Sequence, residues 1–167
     1  GSGKTYTALR CASAFGDRVA VIDTEHGAAS KYVGEQPDGV PWTFDVLNLT
    51  DFSPLRYIEA IEAAGQSGYK VLVIDSLSHA WMGKGGALEM IDQSDAKSSY
   101  IAWGKVTPIF RRMIEAILAS PCHVIATMRT KTEYVLEKDE KGRNVPKKIG
   151  TAPVMRDGIE YEFDLVC

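Results

Sequence analysis

The chain begins Gly1-Ser2-Gly3-Lys4-Thr5, the closing part of the pattern GxxxxGK[ST]. Residues of those types at that spacing suit a phosphate. Glycines let successive backbone N–H groups close around a β-phosphate, the Lys4 ammonium neutralises β and γ oxygens, and the Thr5 hydroxyl can ligate Mg²⁺. Tyr6 completes this set of candidate nucleotide contacts. A vector-derived Gly-Ser-Gly leader before an ordinary helix would look the same over its first residues. The weight of the reading therefore falls on acids farther along the chain.

Phosphate chemistry of this kind needs a carboxylate at the end of a neighbouring buried strand to hold the magnesium water. Val71-Leu72-Val73-Ile74 is an unbroken apolar run ending in Asp75, so Thr5 and Asp75 form the candidate metal pair. A helix cap or turn acid is the plainer role for Asp75, and Ser76 fits such a role equally well. A water attacking the γ-phosphate also needs a polariser. Asp23-Thr24-Glu25-His26 follows the apolar run Val19 to Ile22 and brings two carboxylates to the same sheet edge. Glu25 is the candidate base, with Lys4 as its catalytic companion. The simpler alternatives are a solvated loop acid for Glu25 and a backbone-bonding loop residue for His26.

The elements that must position these groups alternate along the chain. Lys4 to Phe15 has helical spacing, stopped by Gly16-Asp17 before the strand Val19 to Ile22. A strand over Trp42 to Leu49 follows, then a helix started by Ser53-Pro54, running Leu55 to Ala64 and ended by Gly65 and Gly68. Past Asp75, the glycines and charges of Met82 to Ser99 predict a mobile loop with a helical piece near Ala87 to Asp92. Tyr100 to Ala119 reads as a long amphipathic helix broken or restarted at Pro108, and Pro121 precedes a strand over His123 to Met128. Thr130 to Lys148 predicts an extended hairpin or binding loop, turning at Asp139 to Arg143 between Tyr134-Val135-Leu136 and Val145 to Ile149. Glu160 to Cys167 is expected to run out along an apolar strand. The alternation implies an α/β fold with a mainly parallel sheet.

The 167 residues, 45% hydrophobic and 25% charged, suit one domain with its own core. A net charge of −3 excludes a global basic field, so any nucleic-acid contact must come from a local patch or an assembly. Cys11, Cys122 and Cys167 lack metal or disulfide spacing and read as reduced core thiols. No apolar run reaches spanning length, so the expected location is the cytoplasm. With no initiator methionine, the chain is expected to be a single domain, 1–167, cut inside its first motif and also truncated at its C-terminus.

These residues together resemble the RecA-like recombinase ATPases, and most of all phage-encoded nucleotide-binding proteins of the AAA/RecA type associated with strand-annealing proteins. The resemblance covers nearly the whole chain. Its most specific part is Val21-Ile22-Asp23-Thr24-Glu25-His26-Gly27 through Tyr32, where the family's glutamate activates water and a tyrosine seven residues later stacks on adenine. It implies a three-layer P-loop NTPase core whose first strand is missing from this chain, binding ATP and Mg²⁺. Tyr32 takes the adenine role, against the plainer one of a packed aromatic. Met82 to Ser99 and Thr130 to Ile149 fall where the family places its two DNA-binding loops. Lys84, Lys97, Arg129, Lys131, Lys141, Arg143, Lys147 and Lys148 become candidate phosphate contacts, with Tyr134 for stacking. Solvated loop charges are the even alternative.

Two departures matter. The family's γ-phosphate-sensing glutamine falls at Thr127, which puts DNA-triggered hydrolysis by that switch in doubt, and the oligomerising extension is missing. Arg156 is a candidate to reach a neighbouring subunit's phosphate, or else a surface arginine. The implied function is an ATPase handling single-stranded DNA in recombination as a homo-oligomer, with an annealing protein as partner, in the host cytoplasm if the protein is phage-encoded. The alternatives are an ATP-switched binding module with little turnover and a helicase or loader ATPase. A small-molecule kinase would need an arginine-rich lid, which the lysine-rich 130–148 segment fits poorly.

Overall fold

The computed structural model describes residues 3–35, 39, 41–138 and 144–167. Helix α1 (Lys4–Phe15) leads to strand β1 (Val19–Asp23), a 3₁₀ turn (Ala29–Tyr32), the short strands β2 (Gly34–Glu35) and β3 (Pro41–Trp42), and β4 (Phe44–Asn48). Next come α2 (Pro54–Gln66), β5 (Val71–Asp75), α3 (Ser78–Met82), α4 (Ala87–Asp92), α5 (Ser99–Leu118), β6 (His123–Ala126), and an antiparallel ribbon of β7 (Thr130–Lys138) and β8 (Asn144–Pro153).

The main sheet has four strands in the order β4-β1-β5-β6, all parallel. Successive strand side chains point to opposite faces, and β5 shows the consequence. Val71 and Val73 pack with Ala8, Leu9 and Ala12 of α1 and with Val19 and Val21. Leu72 and Ile74 face the other way, onto Tyr57, Ile58 and Ile61 of α2 and Phe110 and Met113 of α5. Helices thus cover both faces, which is why β5 is apolar throughout rather than alternating. Each fully buried Leu or Ile there contributes roughly 1.5–3 kcal/mol. The register pairs Asp23 with Asp75. Two acids therefore emerge side by side at the carboxyl ends of neighbouring strands.

Several boundaries differ from expectation. Helix α5 is not interrupted at Pro108. Pro108 and Gly104, whose carbonyl loses its usual donor, are both exposed, so water can satisfy the freed group. Helix α2 continues through Gly65, which lies against Pro121 where an added Cβ would sit 3.0 Å from the ring. Trp42 belongs to β3 rather than to the following strand. Residues 160–167 form no strand. The 3₁₀ turn Ile159–Glu162 precedes a tail with Leu165 and Val166 exposed. Of the cysteines, Cys122 alone is buried, and Cys11 and Cys167 are exposed free thiols. The ribbon forms as expected and extends farther, with a register shift between Glu133 and Tyr134, while its turn at 139–143 lies outside the described residues.

The segment 82–99, expected as a mobile loop, contains the end of α3 and all of α4. Its glycines serve close packing. A Cβ on Gly83 would lie 2.6 Å from the Phe52 ring and 2.7 Å from the His79 carbonyl oxygen. Gly83→Ala is accordingly expected to destabilise the fold by about 1–3 kcal/mol through overpacking, read as a lower urea midpoint at constant m-value. An unchanged midpoint would mean that the segment yields freely. Among the described residues, no helix is long and apolar enough to cross a membrane.

Candidate functional site

Gly3 caps α1 with φ 79°, a left-handed conformation that glycine adopts without strain, and no side chain caps the first turn. The leading N–H groups of a helix have no partner within it, and together with the helix dipole they favour an anion. Gly3, Lys4, Thr5 and Tyr6 form one wall of a cavity of about 670 Å³, and Glu25, Tyr32 and Asp75 also line it. Gly1 and Ser2 lie outside the described residues.

Asp75 is buried at the end of β5 with both carboxylate oxygens occupied. The Thr5 hydroxyl donates to Oδ2 at 2.5 Å, and the Thr127 hydroxyl donates to Oδ1. This hydroxyl-and-carboxylate pair beside a lysine and an open helix N-terminus is an oxygen donor set suited to Mg²⁺, which typically takes one or two protein oxygens and keeps several waters. The donor set therefore fits the expected ion, which Thr5 and Asp75 would hold. Among the described residues there is no cluster of three or more His, Cys, Asp or Glu side chains that would form a dedicated metal cage.

Asp23, the second-choice base, has a structural task instead. Its buried carboxylate accepts from the Glu25 N–H at 2.7 Å and the Ala29 N–H at 2.8 Å, bracing the loop that carries Glu25. Behind this loop, Thr24 accepts from the Ser76 N–H at 2.8 Å and shares a hydrogen bond with His79 Nδ1 at 2.6 Å. Tyr57 donates to the Ser76 carbonyl at 3.1 Å. The ends of β1 and β5 are thereby tied together beneath the site. Burial, then the Arg129 charge, lower the pKa of His79 and favour its neutral form. His26, exposed with φ 57°, lies at the turn of the loop.

Glu25 faces the cavity, but it is not unengaged. Arg129 Nε donates to Oε1 at 3.0 Å and Nη2 to Oε2 at 2.7 Å, a bidentate pair. That hydrogen-bonded guanidinium holds the Glu25 carboxyl below the usual range against the opposing effect of burial, with smaller contributions from His79 and Lys4. Arg129 was expected among the DNA contacts, yet it lines the cavity. Its N–H donates to Ser78 Oγ at 2.9 Å and its carbonyl accepts from Val154 N–H at 2.7 Å, at the root of the ribbon.

The far end of the cavity is aromatic. The Tyr6 ring stands edge-on to Tyr32 at 5.9 Å and tilted against Trp42 at 5.2 Å, and Trp42 is buried. Sequence reasoning found Tyr6 and Tyr32 but missed Trp42 behind them and Lys31 in the lining. The available signal was Trp42 itself, a large aromatic at the start of an apolar run.

The remaining candidate DNA contacts lie elsewhere. Lys84 is exposed in the turn between α3 and α4. Lys131 and Lys148 are exposed on the ribbon, and Lys147 pairs with Glu137 at 3.0 Å. Lys148 stands opposite the exposed Tyr134. Lys141 and Arg143 lie outside the described residues.

A family model described as AAA domain matches residues 1–167. The chain belongs to the AAA domain family. No curated protein matches it. Membership makes this AAA domain a nucleotide-binding fold of the P-loop ATPase type, in agreement with the cavity at the α1 terminus.

Proposed function

We propose that this AAA domain binds ATP in the cavity at the start of α1 and hydrolyses it, as a RecA-like ATPase handling single-stranded DNA in recombination. The observation that carries the reading is the convergence of four features in one cavity: the open first turn of α1, Lys4, the Thr5–Asp75 pair and Glu25. Mg²⁺, held by Thr5 and Asp75, would neutralise phosphate oxygens as charge develops on them. Lys4 and the α1 amides bind the phosphates, and the Tyr6–Tyr32 wall offers aromatic faces to the base. Glu25 orients a water for attack on the γ-phosphorus and takes its proton. The new P–O bond forms as the bridge to the β-phosphate breaks, leaving ADP and inorganic phosphate.

The DNA part rests on the ribbon, where Lys131, Lys148 and Tyr134 are exposed and able to combine phosphate contact with base stacking. A homo-oligomer and an annealing protein are the partners this reading implies. A second reading, an ATP-switched binding module with little turnover, is favoured by the engagement of Glu25 with Arg129 and by Thr127 at the place of a sensor glutamine.

The deciding experiment is ATP hydrolysis with and without single-stranded DNA. Turnover that DNA raises supports the recombination ATPase. Binding of ATP without turnover selects the switch, and absence of ATP binding overturns both.

A further inference from the structure

We propose that Arg129 is a latch on Glu25, holding its carboxylate in the nucleotide-free protein and releasing it when the terminal phosphate of a bound nucleoside triphosphate takes the guanidinium. The proposal rests on the ATPase reading above and adds to it a positioning residue that also discriminates triphosphate from diphosphate.

The argument starts from the pair itself. Both Glu25 oxygens carry a charge-assisted hydrogen bond from one guanidinium, at 3.0 and 2.7 Å. A carboxylate so engaged is a poor proton acceptor, because accepting a proton from water forfeits both bonds. The arrangement is therefore catalytically idle, and a base that works must first be let go.

The surroundings provide for release. Arg129 is anchored through its backbone, to Ser78 Oγ and Val154 N–H, while its side chain is 39% exposed and the residue lines the same cavity as Lys4 and Thr5. Rotation of the side chain alone can re-aim it. A terminal phosphate offers more charge than a carboxylate and matches the same planar fork of donors. A diphosphate lacks that group, so ADP leaves the pair closed.

Sequence position gives an independent reason. The strand end after β6 carries Thr127, which donates to Asp75, and two residues later Arg129, which holds Glu25. One short segment thus touches both acids of the site. Thr127 stands where the resembled family carries its sensor and is already committed to Asp75. Arg129 is the group in this segment with the charge and reach to register a phosphate.

The test compares wild type, Arg129→Ala and Arg129→Lys for binding of ADP and of a non-hydrolysable ATP analogue by calorimetry. The titration of the Glu25 carboxyl is followed by carbon NMR. Glu25 is faced by Arg129, with His79 and Lys4 contributing charge. In Arg129→Ala, affinity for the analogue is expected to fall about 10-fold or more with ADP changed less than about 2-fold, and Arg129→Lys should restore part of the difference. The Glu25 carboxyl should titrate nearer the ordinary range in unliganded Arg129→Ala. In wild type it should move the same way when the analogue, but not ADP, is added.

Equal effects on both nucleotides, or a Glu25 titration that the analogue leaves unmoved, would overturn the latch. Turnover in the Glu25→Gln variant separates the two ideas. If that variant keeps wild-type turnover, the base reading fails; if it loses turnover while Arg129→Ala keeps the wild-type preference for the triphosphate analogue over ADP, the latch alone fails.

Discussion

Glu25→Gln is expected to lower ATP turnover by about 10²–10⁴-fold, the range lost when a positioned general base is removed. Glutamine keeps the shape and one acceptor oxygen but cannot take a proton from water. The loop should hold its form, because its bracing runs through the Asp23 carboxylate and the backbone of Glu25 and Ala29 rather than through the Glu25 side chain. ATP affinity should stay the same or tighten, since the neutral amide grips Arg129 less firmly and leaves the guanidinium more available. Steady-state turnover and calorimetric binding of the same preparation provide the check. Weakened binding in parallel with lost turnover would indicate a damaged pocket instead of a missing base.

The second large effect is expected at Lys4. Lys4→Ala should weaken ATP binding by about 2–5 kcal/mol, on the order of 30- to several-thousand-fold, the cost of truncating one partner of a hydrogen-bonded charge pair. The position follows from α1. Gly3 turns the chain into the helix with φ 79°, and Lys4 then opens it beside the N–H groups that lack a helical partner. The lysine adds a full charge where the helix already supplies a partial one. Thermal unfolding should change little, because the packing of α1 uses Ala8, Leu9 and Ala12, away from the lysine. Retention of ATP affinity within a factor of two would place the nucleotide elsewhere.

Much of this arrangement was legible in the sequence for identifiable reasons. Val19 to Ile22 and Val71 to Ile74 are buried on both sides by helices, so the runs are apolar without alternation and the acids that close them stand out. Ser53 caps α2 with its side chain, accepting from Leu55 N–H at 3.4 Å, which made that helix start readable. What could not be read depends on distant contact. Glu25 and Arg129 are separated by 104 positions, and nothing local in Met128-Arg129-Thr130 distinguishes a latch from a loop cation. Pro108 misled because the general cost of proline in a helix is relieved here by solvent around an exposed face. The glycines at 83, 85 and 86 resembled a flexible tract, although Gly83 is needed where α3 and Phe52 come together. Trp42 read only as the start of a strand because its partner Tyr6 lies across three intervening elements, β1, the 3₁₀ turn and β2.

The root of the ribbon has a thermodynamic consequence. Arg129 immediately precedes Thr130, the first residue of β7, and its carbonyl is joined to Val154 just past the end of β8. The residue that grips Glu25 is therefore also joined through its backbone to the root of the two-stranded arm. Binding free energies at two linked sites are reciprocal. A ligand on the arm that changes ATP affinity through Arg129 must have its own affinity changed by ATP by the same factor, whichever binds first. Measuring either molecule's affinity in the presence and absence of the other yields a single coupling constant, and Arg129→Ala should reduce that constant to unity.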